Sequence, residues 1–160
     1  MAEAAPEFVY TLYIAAPAER VWSALVDGEL TKQYWGHENR SDWKPGSRWE
    51  HVRVGPDGIV DVAGKVIEID PPHRLVTSWH APQAEGDPAR TSHVTYEITA
   101  VGEDTKLVVT HSELNEPGMR ASVSSGWPLV LSSLKSFLES GKGLATLDRQ
   151  IAAMGEKTCG

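Results

Sequence analysis

The chain has 160 residues, 41% of them hydrophobic and 23% charged, which is the composition of one globular domain that can bury a core. Its net charge of −7, with Lys and Arg scattered, argues against a nucleic-acid-binding surface, and no hydrophobic run is long enough to span a membrane. The N-terminus lacks the basic start and hydrophobic centre of a signal peptide, and the single cysteine, Cys159, suits a reducing compartment, so we expect a cytoplasmic protein.

Tryptophan is the one residue type that is unusually abundant. An indole ring is large, and its N–H needs a hydrogen-bond partner when buried, so a small, tightly packed core has difficulty holding many of them. The wall of an internal cavity could use several, and the count therefore favours a cavity. The six tryptophans are Trp22, Trp35, Trp43, Trp49, Trp79 and Trp127.

The first elements are predicted to be one strand followed by two short helices. Residues 8–14 (FVYTLYI) are β-branched and aromatic, which is typical of a strand. Pro17 opens a helix that runs to Asp27, Gly28 interrupts it, and a second short helix follows around residues 29–34. We expect this pair of helices to form a V-shaped support for a curved sheet.

From Asp42 onward the hydrophobic period changes to two, which predicts a run of antiparallel strands. The GPDG sequence at residues 55–58 is a strong hairpin turn between the first two of them. Gly64 lies in the middle of the second strand and indicates a bulge or a close approach of two backbone segments. The five strands of this run are predicted over residues 47–54, 59–69, 73–80, 91–101 and 105–114.

The chain is organised around a predicted amphipathic helix over residues 126–141 (GWPLVLSSLKSFLESG), within a helical region that begins near Met119. Pro128 is expected in the first turn, where a missing N–H is tolerated, and Ser133 is expected on the polar side. A further amphipathic piece, residues 144–154, is predicted to continue as helix or to fray. The apolar stripe of the helix is formed by Trp127, Leu131, Leu134 and Leu138, and it either is ordinary core or roofs a cavity.

The order of elements predicts an α+β fold. One strand, two short helices, five antiparallel strands and a long helix give a curved sheet of about six strands that only the last helix is long enough to cover. At 1.5 Å per residue that helix would span roughly 20 Å. With no repeats and no long linker, residues 1–160 are expected to form a single domain.

Several of these segments together resemble a known family. They are PAERVWSALVD after the first strand, KPGSRWE at the second, the run GKVIEIDPPHRLVTSW, the strand TKLVVTHSEL and the helix GWPLVLSSLKSFLE. The chain is similar to the START-like (SRPBCC) superfamily with its helix-grip fold, and within it to bacterial proteins like the C-terminal domain of the activator of heat-shock-protein-ninety ATPase. The resemblance covers nearly the whole chain and implies a cavity between the concave face of the sheet and the C-terminal helix. It does not fix an activity.

Strand alternation indicates which side chains would border such a cavity. His111 shares a strand face with Leu107 and Val109. In the strand over residues 47–54, His51 and Arg53 are expected to point inward. Apolar walls with a few polar groups are typical of small-molecule sites. The predicted ligand-binding residues are Trp35, Trp49, His51, Leu75, Thr77, Trp79, Val94, Tyr96, Leu107, Val109, His111, Trp127, Leu131 and Leu134.

The candidate polar residues each have two interpretations. His111 is either a core histidine satisfied by a neighbour or a hydrogen-bonding group for a ligand, and His51 is similar but could equally face water. Arg53 could pair a ligand carboxylate, although surface exposure is favoured. Glu68 or Glu113 could act as a general base beside His111, but both look like solvated surface charges. The remaining histidines lack metal-ligand spacing, so no metal, cofactor or catalytic residue is assigned.

Three functions are compatible with the sequence. The first is binding of a hydrophobic or aromatic small molecule in the cavity. The second is a co-chaperone that binds an ATPase chaperone, as the family resemblance implies; such activators carry a further N-terminal domain, whereas the first strand here starts at Phe8, so this function ranks lower. The third is a cyclase-type or hydrolase-type enzyme that uses the same cavity. A homodimer through a strand edge or the last helix is possible.

Overall fold

The computed structural model describes residues 6–147. Cys159 and most of the amphipathic piece predicted over residues 144–154 therefore lie outside the described part of the chain. The elements in chain order are β1 (Phe8–Ile14), α1 (Ala18–Val26), α2 (Gly28–Trp35), β2 (His37–Ser41), β3 (Arg48–Arg53), β4 (Val60–Asp70), β5 (Arg74–Trp79), β6 (Ser92–Val101), β7 (Asp104–Ser112) and α3 (Met119–Ser140).

The seven strands form one antiparallel sheet in the order β1-β7-β6-β5-β4-β3-β2. Each strand therefore pairs with its neighbour in sequence, except that β1 adds to the sheet beside β7. The sheet curves around α3, and α1 and α2 follow the first strand. This arrangement confirms the predicted α+β class and the helix-grip architecture.

The prediction of about six strands is one short, because β2 was missed. Its sequence, HENRS, is short and polar and carries none of the β-branched or aromatic residues that mark a strand. It forms because α2 ends at Gly36 in a left-handed conformation (φ 70°) and the chain then pairs with β3. Pairing buries the side chains of His37 and Asn39, so a polar strand contributes two buried polar groups to the interior.

The boundary between α1 and α2 also differs from the prediction. The predicted helix ran to Asp27, whereas α1 ends at Val26 and Asp27 caps both helices; its carboxylate accepts a hydrogen bond from the backbone N–H of Glu29 at 2.9 Å. Gly28 is the first residue of α2, and a Cβ at this position would lie 2.6 Å from the side chain of Glu38. The glycine thus permits close packing of α2 on β2 instead of interrupting a helix.

Helix α3 is longer than its regular apolar stripe suggested. It begins at Met119, after Gly118 in a left-handed conformation, so Pro128 lies in its interior and not in its first turn. Proline removes the N–H that would bond to the carbonyl four residues earlier. The start near Met119 agrees with the prediction, although residues 119–126 carry no apolar stripe. Ser133, expected on the polar side, is fully buried and donates to the Tyr34 carbonyl at 2.7 Å.

The predicted stripe of α3 is buried, and one chain of hydrogen bonds connects it to the sheet. The indole Nε1 of Trp127 donates to Nδ1 of His111 at 3.0 Å. Nδ1 is therefore the unprotonated nitrogen, so Nε2 carries the proton and donates to Ser92 Oγ at 2.7 Å, which in turn donates to the carbonyl of Trp79 at 3.1 Å. The neutral imidazole thus satisfies both of its nitrogens and fixes the helix over β7, β6 and β5.

Gly64 allows two strands to approach closely, as its position in β4 indicated. A Cβ there would lie 2.1 Å from the carbonyl oxygen of Ser78 and 2.6 Å from the indole Nε1 of Trp49. That indole donates to the same Ser78 carbonyl at 2.8 Å. The glycine therefore leaves room for the bond that orients Trp49 across β4.

We expect Gly64→Ala to lower the free energy of unfolding by about 3 kcal/mol, the upper end of the usual cost of overpacking, since the nearest atom is rigid backbone. The measurement is urea unfolding followed by tryptophan fluorescence. Gly126→Ala is the matched control, because a Cβ at Gly126 meets no atom within 4 Å and alanine favours the helix by about 1 kcal/mol. Equal stability of the two variants would contradict the close approach at Gly64.

The stability of the fold should depend on pH through His111. Burial, with a smaller contribution from His93, lowers the pKa of His111 to about 4. The unfolded chain, with a histidine pKa of about 6.5, then binds the proton first, so stability is lost as the pH falls from about 6.5 to about 4, by about 3 kcal/mol. Urea unfolding at a series of pH values checks this, and His111→Gln should flatten the slope. Parallel slopes for the two proteins would rule His111 out as the source.

Candidate functional site

An open cleft of about 290 Å³ lies between the first half of α3 and the strands β2 to β5. The strands contribute one side of it, α3 contributes the other, and Trp35 at the end of α2 completes the lining. We call this the aromatic cleft. It is lined by Trp35, His37, His51, Asp61, Val62, Trp79, Ser122, Val123, Gly126, Trp127 and Val130.

Three indole rings form the apolar part of the aromatic cleft. The ring centroid of Trp127 lies 5.6 Å from that of Trp35 and 5.7 Å from that of Trp79, in tilted arrangements. Tilted and edge-on contacts of this kind stabilise aromatic clusters beyond their buried area. Trp49 does not line the aromatic cleft, but its ring packs against that of Trp79 with the centroids 5.5 Å apart and so supports the wall.

A buried group of charged side chains borders the aromatic cleft. Both oxygens of Asp61 accept from the guanidinium of Arg53, at 2.9 and 2.6 Å, and Oδ2 also lies 2.7 Å from Nε2 of His37. Burial alone would raise the pKa of Asp61, but the bonds from His37 and Arg53 outweigh it and hold that pKa well below its usual range. Arg53 is 9% exposed, so the preference for surface exposure was wrong, and the carboxylate it pairs with is the protein's own.

His51 lies at the centre of the aromatic groups and is 4% exposed, so it does not face bulk water. Its ring stacks on His37 at 3.8 Å and meets the edge of Trp35 at 4.7 Å. Its Nδ1 lies 2.5 Å from Oδ1 of Asn39, the residue opposite it in the β2–β3 ladder. Burial, and then the neighbouring His37, lower the pKa of His51 well below its ordinary value, so the ring is neutral.

The structure distributes the predicted site residues over three places. Four of them line the aromatic cleft, namely Trp35, His51, Trp79 and Trp127. Four more border a separate void of only about 10 Å³, which is room for about one water molecule, and these are Trp49, Leu75, Thr77 and Tyr96. The remaining six lie in the core and border neither space: Val94, Leu107, Val109, His111, Leu131 and Leu134.

Sequence reasoning missed several residues of the aromatic cleft. Three of them, Ser122, Val123 and Gly126, belong to the first turns of α3, which the apolar stripe did not include. Two others, His37 and Asp61, had signals that were visible but not combined. His37 was considered only as a metal ligand. Asp61 lies in β4, which pairs with the strand that carries Arg53, and an acidic residue beside a basic one on the neighbouring strand could have suggested an ion pair.

Within residues 6–147 no group of three or more His, Cys, Asp or Glu side chains is arranged to hold a metal ion. None of the helices of that region is long and hydrophobic enough to cross a membrane. The side chains that line the aromatic cleft offer indole faces, aliphatic groups, a hydroxyl, the imidazoles of His37 and His51 and a carboxylate paired with Arg53.

Known proteins resemble this chain in sequence and in structure. CalU16 from Micromonospora echinospora is 26% identical with a TM-score of 0.68, over 94% of this chain and 84% of that chain. PFC0360w, an HSP90 activator from Plasmodium falciparum, is 28% identical with a TM-score of 0.61, over 76% of this chain and 86% of that one. The Aha1 dimer from Colwellia psychrerythraea is 22% identical with a TM-score of 0.70, over 86% of this chain and 99% of that one. At this identity the likeness shows only that the two proteins share a fold.

Comparison with curated protein sequences finds no significant match. A family model, described as activator of Hsp90 ATPase homolog 1-like protein, matches residues 15–139. That segment runs from the end of β1 to the last turn of α3 and includes every strand that lines the aromatic cleft. The chain thus belongs to the activator of Hsp90 ATPase homolog 1-like family, within the START-like (SRPBCC) superfamily.

Proposed function

We propose that this protein binds a small, mainly apolar, aromatic molecule in the aromatic cleft. The observation that carries the proposal is the wall formed by the indoles of Trp35, Trp79 and Trp127, which borders open space instead of being filled by neighbouring side chains. Concave sites with apolar and aromatic walls and a few fixed polar groups are the usual form of small-molecule sites.

The volume of the aromatic cleft limits the size of the ligand. At about 290 Å³ it lies at the lower end of small-molecule pockets, which run from about 300 to 1,000 Å³. An apolar cavity of about 150 Å³ holds one benzene molecule, so the space here suits about two fused rings. A long lipid chain would need more enclosed volume than the described residues provide.

The polar atoms of the walls support an apolar ligand. The Nε1 atom of Trp127 is bonded to His111, so the ring offers the aromatic cleft its face and edge but not its donor. Asp61 is neutralised by Arg53 and His37, so a carboxylate at the border does not repel an apolar ring as an isolated charge would. The separate void bordered by Tyr96 and Leu75 adds almost no space for a ligand, since its volume is only about 10 Å³.

Chaperone activation is the second candidate function. It is favoured by the family description and by the likeness to the Plasmodium falciparum HSP90 activator, which is 28% identical. The two functions use different surfaces, because a small ligand occupies the aromatic cleft whereas a chaperone would need an extended outer face. A catalytic role of cyclase or hydrolase type has less support, since both ring nitrogens of His111 are bonded and the residue lies outside the aromatic cleft. A homodimer stays a prediction.

Filling the mouth of the aromatic cleft should abolish ligand binding without unfolding the protein. Gly126 lines the cleft, and a Cβ there meets open space, so Gly126→Leu places a side chain where the ligand would lie while favouring the helix. We expect the affinity for a two-ring probe, 2-naphthol, to fall about 10-fold or more by isothermal titration calorimetry, because the overlap must be relieved.

The control for this variant is Ser125→Leu, which adds the same side chain to the neighbouring, exposed position outside the aromatic cleft. It should leave the affinity unchanged. Absence of saturable heat in the wild-type protein with 2-naphthol and with indole would overturn the proposal, and so would equal affinity of the two leucine variants.

The chaperone candidate makes a separate prediction. If the chain activates an Hsp90-type ATPase, adding it in excess should raise the steady-state ATPase rate of the chaperone, and Gly126→Leu should do so equally well, since the variant changes only the aromatic cleft. The measurement is a coupled ATPase assay with an Hsp90 inhibitor as background control. An unchanged rate at saturating protein would remove this candidate.

A further inference from the structure

We propose that the aromatic cleft selects hydroxyaromatic molecules, whose O–H group donates a hydrogen bond to Nε2 of His51. This inference rests on the proposed function and adds the chemical class of the ligand. It depends on which nitrogen of the ring carries the proton, on what the other nitrogen meets, and on which competing acceptors the aromatic cleft contains.

Asn39 determines the tautomer of His51. The amide Nδ2 of Asn39 donates to the carbonyl of Leu25 at 3.4 Å, so the amide oxygen is the atom that faces His51. An amide oxygen only accepts, and Nδ1 of His51 must therefore carry the proton. In a neutral ring the second nitrogen, Nε2, is then an acceptor with a free lone pair.

The backbone holds Asn39 in the position that this role requires. The two residues are directly opposite in the β2–β3 ladder. The backbone N–H of Asn39 donates to Thr31 Oγ1 at 2.9 Å, and that hydroxyl donates to the carbonyl of Gly28 at 3.1 Å. Helix α2 thus fixes β2, and β2 fixes the orientation of the imidazole.

The acceptor nitrogen has no hydrogen-bond partner among residues 6–147. His51 is 4% exposed, and no hydrogen bond of residues 6–147 engages its Nε2. The ring is enclosed by the indoles of Trp35, Trp49 and Trp79, and the open space that it borders is the aromatic cleft. Nε2 is not among the fully buried side-chain atoms that lack a partner, so it is accessible from the open space, where a ligand hydroxyl can donate to it.

The carboxylate at the border of the aromatic cleft is already engaged by the protein. Asp61 receives bonds from Arg53 on both oxygens and lies within hydrogen-bond distance of His37. Burial keeps His51 neutral, as the lowered pKa indicates, so Nε2 remains an acceptor near neutral pH. A ligand with a ring and a hydroxyl therefore finds Nε2 of His51 as an unpaired acceptor among indole faces, which suits a phenol or naphthol better than its methyl ether.

The test compares two probes that differ only in the donor. By isothermal titration calorimetry at pH 7.5, wild-type protein should bind 2-naphthol about 3- to 10-fold more tightly than 2-methoxynaphthalene, as expected for one hydrogen bond. In His51→Phe, which keeps a ring of similar size without the acceptor, the two affinities should become equal. The control His73→Phe changes an exposed histidine in the turn before β5 and should retain the preference.

A second measurement does not depend on the folding of a variant. In wild-type protein labelled with ¹⁵N-histidine, Nε2 of His51 should show the shift of an unprotonated nitrogen and should move on addition of 2-naphthol but not of the ether. Equal affinity of both probes, or a protonated Nε2 in the free protein, would overturn the inference alone. If neither probe binds, the proposed function fails together with it.

Discussion

The position of α3 over the sheet depends on the hydrogen bond from the indole of Trp127 to His111. Because the imidazole N–H donates a hydrogen bond to Ser92 Oγ, and Ser92 donates to the carbonyl of Trp79, the helix is connected to three strands through a single side chain. The same bond turns the ring of Trp127 so that it meets Trp35 and Trp79. The neutral state of one histidine thus sets both the closure of the core and the wall of the aromatic cleft.

The polar interior follows a consistent rule, which is that each buried group is neutral or paired. His111 is satisfied on both sides, Arg53 and Asp61 neutralise each other, and His51 donates to Asn39. Buried charges that lacked such partners would cost more than the packing around them contributes. Two groups depart from full pairing: Thr77 Oγ1 is neutral but buried without a partner, and Nε2 of His51 makes no bond within residues 6–147 where it borders the aromatic cleft.

The architecture could be predicted from the sequence, whereas the location of the site could not. Period-two alternation identified β3 to β7 because each has one buried face, and the stripe from Trp127 to Leu138 identified the buried part of α3. Strand β2 had no such pattern and forms by pairing with β3, and the early turns of α3, although predicted as helical, carry no apolar stripe to show which side faces the sheet. These two segments supply His37, Ser122, Val123 and Gly126 to the aromatic cleft, whereas most of the predicted site residues lie in the core.

Pro128 divides α3 into a first part that mainly lines the aromatic cleft and a second part that mainly packs in the core. Because Pro128 has no backbone N–H, the carbonyl of Ser124 lacks its usual donor four residues later, and the series of backbone hydrogen bonds in the helix is interrupted there. Most of the helical wall of the aromatic cleft precedes this point, and the residues that pack on the sheet, such as Leu131, Leu134 and Leu138, follow it. Because Ser122 and Gly126 precede the proline and are exposed, substitutions there can reshape the wall of the aromatic cleft at little cost to folding, whereas Trp127 is held by its bond to His111.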